Sequence, residues 1–110
     1  MIYMNLRIDP SPERTSALVH ALRLHMGRTE VQPGCIQCRL SQSGDDQNII
    51  LYQEEWATWE AIEKHIRSNR FSWILELMEL SSTTPDLNFC DVHEKRGIEY
   101  VKQLRIQTNP

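Results

Sequence analysis

Apolar and polar positions alternate from the start of the chain. Ile2, Met4, Leu6 and Ile8 alternate with Tyr3, Asn5 and Arg7, and a period of two predicts a half-buried strand. The aliphatic set is expected to pack on helices, with Tyr3, Asn5 and Arg7 on the other side. Asp9-Pro10-Ser11-Pro12 then breaks the strand. Ser11 suits an N-cap, Pro12 the first helical position, and Glu13 the first turn. Leu18, Val19, Leu22 and Met26 recur at helical spacing. Gln32-Pro33-Gly34 stops that helix.

Residues 35–43 predict a strand with Ile36, Cys38 and Leu40 on one face. Ser43-Gly44-Asp45-Asp46 predicts a turn, and residues 48–56 the returning strand. Thr58 is placed to cap a short helix whose stripe is Ile62 and Ile66. A second helical stripe follows through Phe71, Ile74, Leu75 and Met78. Residues 87–93 alternate again, with Leu87, Phe89 and Asp91 opposed to Asn88, Cys90 and Val92. Ile98, Val101 and Leu104 stand three apart, which suits a short docked helix and leaves a strand as the alternative.

Strand, helix, strand, strand, helix, strand is the order of an α+β, ferredoxin-like split βαβ fold. Residues 1–93 form that domain and 94–110 a C-terminal extension. Helices then cover one sheet face only. The other gives so short a chain a reason to pair, and two such faces can close into a barrel-like chamber in a homodimer.

Charge narrows the partners. Twelve basic against fifteen acidic residues leave a net −3, with no basic cluster, which argues against nucleic acid and anionic membranes. No apolar run reaches bilayer length, and the N-terminus reads as a strand, not a signal peptide. The odd cysteine count, Cys35, Cys38 and Cys90, fits a reduced interior. A cytoplasmic protein is expected.

Recognised motifs are few. Cys35 and Cys38 form a CxxC, but residues three apart in a strand point to opposite faces, so neither a redox nor a zinc site is expected. His20 and His25, five apart, share no helix face. No HExxH, P-loop, GxGxxG or nucleophile elbow is present, and no cofactor or metal is expected. In the third strand Ile50, Tyr52, Glu54 and Trp56 share one face. The opposite set, Ile49, Leu51, Gln53 and Glu55, begins apolar and is expected to pack on helices. That puts Tyr52, Glu54 and Trp56 beside Tyr3, Asn5 and Arg7, a surface suited to a ligand chamber or a dimer interface. His65 falls in a last helical turn, where it can bond final carbonyls or manage a proton. Asp91 and His93 share a face, as an acid–base pair or an exposed contact.

Pro33-Gly34-Cys35, Glu54-Glu55-Trp56, Glu60-Ala61 with His65, and Ser68 with Phe71 together resemble the antibiotic biosynthesis monooxygenase family. The match is nearest to its quinol-monooxygenase-like branch. The resemblance runs in element order over residues 1–92 and is sharpest over 54–71. It implies a dimeric α+β barrel. For some members it also implies O2-dependent oxidation of phenols or hydroquinones, with the substrate as its own reductant and no cofactor. On that reading Asn5 and Arg7 orient the substrate oxygen, Glu54 or His65 manages the proton, and Tyr52 and Trp56 wall the ring. Trp56 matches a pocket Trp of polyketide-oxidising relatives, whereas Tyr52 and Ile62 stand where such a relative carries Asn and Tyr. Haem-degrading relatives pair an Asn, here Asn5, with a Trp and a His where this chain has His65 and Leu75. Arg70 replaces a second His common in the quinol branch. Two other functions fit the same residues: a non-catalytic small-molecule-binding dimerisation module, and an isomerase or degrading enzyme for a small carbonyl signal.

Overall fold

The computed structural model describes residues 1–43, 45 and 48–108; Gly44 and Asp46 of the expected turn lie outside them. Four strands, β1 (Ile2–Ile8), β2 (Cys35–Gln42), β3 (Ile50–Trp56) and β4 (Asp86–Asp91), form an antiparallel sheet in the order β2-β3-β1-β4. The helices are α1 (Thr15–Thr29), α2 (Trp59–Arg67), α3 (Phe71–Met78) and α4 (Ile98–Thr108). This is the expected ferredoxin-like arrangement. Among the described residues no helix is long and apolar enough to cross a membrane.

Local chemistry explains the boundaries. A 3-10 turn over Pro12–Arg14 leads into α1. Ser11 occupies its N-cap position without a side-chain capping bond; its carbonyl accepts from the Arg14 N–H instead, at 2.9 Å. Thr58 does cap α2, its hydroxyl accepting from the Ala61 N–H at 3.1 Å. The core joins Ile2, Met4, Leu6 and Ile8 of β1 to Leu18 and Leu22 of α1, Ile62 of α2, and Phe71 and Ile74 of α3. Each such buried side chain contributes about 1.5–3 kcal/mol.

The register corrects the expected face of β3. Ile2 lies opposite Trp56, Met4 opposite Glu54, and Leu6 opposite Tyr52. Directly opposed residues share a face, so Tyr52, Glu54 and Trp56 lie with the aliphatic set, under the helices. Asn5 and Arg7 are instead opposite Gln53 and Leu51. Leu51, expected in the core, is 42% exposed on the open face.

A bulge corrects the reading of the CxxC. The β2–β3 register shifts between Cys35 and Gln37, so that Cys35 opposes Trp56 and Cys38 opposes Glu54. The extra residue, Ile36, turns outward. Both sulfurs thus reach the helix-covered face, 4.0 Å apart. Burial pushes both thiols above the ordinary cysteine value, which suits packing rather than nucleophilic chemistry.

The helical stripes shift too. Ile66 and Leu75 are exposed, whereas His65 is buried beside Ile62. On α1, His20 is exposed and His25 is buried. The α4 helix forms, but it does not bury its apolar side chains: Ile98, Val101, Leu104 and Ile106 are 43–74% exposed.

Candidate active site

Glu54 stands in the middle of β3, fully buried. Tyr52 and Trp56 flank it two residues away on the same face, as strand geometry requires. The Tyr52 hydroxyl donates to Glu54 Oε2 at 2.6 Å, and the Trp56 indole N–H donates to Oε1 at 3.0 Å. Two helices add imidazoles. His25 Nε2 of α1 lies 3.1 Å from Oε2, and His65 Nε2 of α2 lies 3.2 Å from Oε1. The His65 approach is off-line and makes no aligned hydrogen bond.

The rings hold one another in place. His65 packs on Trp56 with centroids 4.7 Å apart, and meets Phe71 edge-on at 5.6 Å. His25 meets Tyr52 edge-on at 5.9 Å. Burial pushes the Glu54 carboxyl up. Contacts from His25 and His65, the His65 charge and the Tyr52 hydroxyl outweigh it and bring the value down to about 2. Burial, and then the charge on Glu54, push the Tyr52 phenol up, so Tyr52 stays a donor. Glu54 is therefore a fixed buried anion between two imidazoles.

A cleft of about 440 Å³ opens over this cluster, a size suited to a small organic ligand. Trp56 and His65 reach its wall, together with Trp73, Arg28, Lys64 and Arg70, while Glu54, Tyr52 and His25 lie behind. His65 is thus the titratable link between the cleft and the buried carboxylate.

His25, Glu54 and His65 are also the one group among the described residues that could hold a metal ion, their ligand atoms lying within 4.8 Å of one another. The donor set is of the two-histidine, one-carboxylate kind. However, Tyr52 and Trp56 already donate to the two carboxylate oxygens, and His25 hydrogen-bonds Oε2 as well. A carboxylate so engaged fits proton handling better than an ion.

The structure does not bring Asn5 and Arg7 to this cleft. Asn5 lies in a polar ladder on the open face, accepting from Gln53 at 2.8 Å and donating to Asn88 at 3.1 Å. Asn5, Arg7, Arg39 and Leu51 border a separate hollow of about 400 Å³ there. Asp91 and His93 make an exposed contact of 3.6 Å, and Asp91 also accepts from the Trp59 indole at 2.9 Å. His25 was missed as a site residue. Its signal was its place on the buried stripe, seven residues after Leu18, rather than its spacing from His20.

Comparison with known proteins bears on the family and the fold. The family model for antibiotic biosynthesis monooxygenase matches residues 1–76. No curated protein matches the chain. Among solved structures, Rv0793 from Mycobacterium tuberculosis is 20% identical, with 87% of this chain and 98% of that one covered at a TM-score of 0.76. A conserved protein from Methanosarcina mazei Go1 is 22% identical, covering 81% and 89% at 0.74. A structure described as an antibiotic biosynthesis monooxygenase is 17% identical, covering 86% and 100% at 0.74. Likeness at these identities shows the shared fold.

Proposed function

The chain belongs to the antibiotic biosynthesis monooxygenase family, and on that premise we propose that it oxidises a small electron-rich aromatic or quinol-type substrate with O2. The observation that carries this reading is His65, which reaches the cleft beside Trp56 with the buried Glu54 carboxylate 3.2 Å behind it. The substrate ring lies against Trp56 and Trp73. Its hydroxyl proton passes to the His65 imidazole, and Glu54 orients that ring and stabilises the cation formed. The phenolate then supplies the electrons to O2. A naphthohydroquinone and O2 give either the naphthoquinone and H2O2, or the hydroxynaphthoquinone and water. Both routes balance with the substrate as the only reductant.

Oxygen uptake with 1,4-naphthohydroquinone or anthrone tests this directly. We expect uptake above the protein-free rate, unchanged by a chelator, and about tenfold lower in Trp56→Phe, which loses one donor to Glu54. Absence of uptake with either compound overturns the reading. Uptake lost on chelation and restored by a divalent ion assigns the cluster to metal chemistry instead.

We also propose that the open sheet face pairs with a second copy. Exposed Leu51 sits on that face beside the Gln53–Asn5–Asn88 ladder, and Lys95 folds onto its edge, 4.6 Å above the Tyr3 ring and 3.6 Å from Glu55. In this reading Asn5 and Arg7 serve the interface. Sedimentation at micromolar concentration should show a dimer that Leu51→Arg dissociates; a monomeric wild-type chain contradicts it.

A further inference from the structure

The cleft has a charge unlike that of the whole molecule. The chain carries 12 basic and 15 acidic residues, yet the cleft wall holds Arg28, Lys64 and Arg70 and no carboxylate. The three come from separate places: the last turn of α1, the last turn of α2, and the link before α3. Arg67, Lys95, Arg96 and Lys102, outside the cleft, are paired with carboxylates. Among the described residues no carboxylate pairs with Arg28, Lys64 or Arg70, and these three share one cleft.

Two of these cations are already positioned. The Arg28 guanidinium lies 5.4 Å from the centre of the Trp73 ring, a cation–π arrangement that restrains a long side chain. Arg70 donates through Nη1 to the Arg28 carbonyl at 2.9 Å. That bond uses one of the five guanidinium N–H donors and ties the two arginines together. Converging, unneutralised cations repel one another, and a bound anion relieves the repulsion. Guanidinium groups also match the planar, two-oxygen geometry of carboxylate and phosphate.

We infer that the cleft takes an aromatic acid: a phenol or hydroquinone ring that also carries an oxyanion. The ring lies against Trp56 and Trp73, and the oxyanion meets Arg28, Lys64 and Arg70 at the rim. This inference rests on reading the cleft as the substrate site, and it adds the substrate's charge. The same cations favour the ionised phenol at His65, so recognition and activation draw on one field.

Binding, measured without turnover, tests it. Two of the three tryptophans, Trp56 and Trp73, line the cleft, so their fluorescence reports occupancy. The probes are 1-naphthol, 1-hydroxy-2-naphthoate and 1-naphthyl phosphate. At least one anion should bind tenfold or more tightly than 1-naphthol, and the better of the two identifies the oxyanion. Exposed Lys64 allows Lys64→Gln without loss of the core, and Arg70→Gln is the second variant. Each should reduce the preference at least threefold, as should 0.5 M salt. Equal or weaker binding of both anions, or a preference untouched by both variants, overturns the inference. Oxygen uptake with neutral 1,4-naphthohydroquinone is scored separately. Preferred anion binding without any uptake sinks the oxygenase reading alone, and uptake without anion preference sinks this inference alone.

Discussion

Glu54→Gln should lower quinol-dependent oxygen uptake by about 10²–10⁴-fold, the usual range of general acid–base catalysis, because the proton acceptor His65 loses the anion that orients and stabilises it, while the protein stays folded. The substitution keeps the shape of the side chain and removes its charge. His65 would then gain a proton with no anion 3.2 Å away to stabilise it. The amide also presents an N–H to a place that now receives only donors, from Tyr52 on one oxygen and Trp56 on the other. One mismatched buried donor costs about 1–3 kcal/mol, so some stability is lost as well. Activity per folded molecule, corrected by a denaturant titration, separates the two effects. Wild-type uptake in this variant would remove Glu54 from the mechanism.

The same substitution should change the acid limb of stability. The Glu54 carboxyl is lowered from 4.5 to about 2 by its partners, against the effect of burial. A folded value below the unfolded one stabilises the protein above the unfolded value. That stabilisation disappears as pH falls from about 4.5 towards 2. A shift of this size corresponds to about 3 kcal/mol. The variant lacks the titrating group, so its stability should fall less across that window.

The element order was legible because both periodicities are plain, two in β1 and near 3.6 in α1. The face of β3 was not. Ile50, Tyr52, Glu54 and Trp56 mix apolar and polar residues, and the alternate set opens with Ile49 and Leu51. A strand pattern of that kind leaves its two faces ambiguous, and only the register with β1 resolves it. The buried set includes Glu54 because Tyr52, Trp56 and His25 hydrogen-bond its carboxylate, and His25 lies 29 residues away. The bulge at Ile36 hid the convergence of Cys35 and Cys38 for a related reason. One extra residue reverses the parity of a strand, and no composition rule marks it. Trp56 and His65, both legible in the sequence, share the cleft. Strand parity alone puts Asn5 and Arg7 on the same surface as Trp56, and the register of β3 with β1 moves them to the opposite face. The spacing of three in the tail favoured a helix without settling it against a strand, and spacing does not say what a helix docks on.

Gly34→Ala should be among the most destabilising single-methyl changes in this chain. Gly34 has φ +89°, and a Cβ built there would lie 2.5 Å from Ala61 Cβ. The backbone conformation costs about 1–3 kcal/mol for a residue with a side chain, and the forced contact a further ~1–3 kcal/mol. Against a total of about 5–15 kcal/mol for a small domain, that is a large share. The Gly34 carbonyl also accepts the Ala57 N–H at 2.8 Å, so the loop, the end of β3 and the start of α2 are joined at this point. Ala61 lies one turn before His65. Relief of the clash by movement of α2 would therefore draw His65 away from Glu54, and activity should fall along with the denaturation midpoint. Ala61→Gly separates the two causes. Alone it should cost about 1 kcal/mol, through helix propensity. Combined with Gly34→Ala it removes the contact and leaves the backbone strain, so the double variant should be more stable than additivity predicts. Strict additivity would show that α2 does not press on Gly34, and the close approach that sets His65 against Glu54 would have to be abandoned.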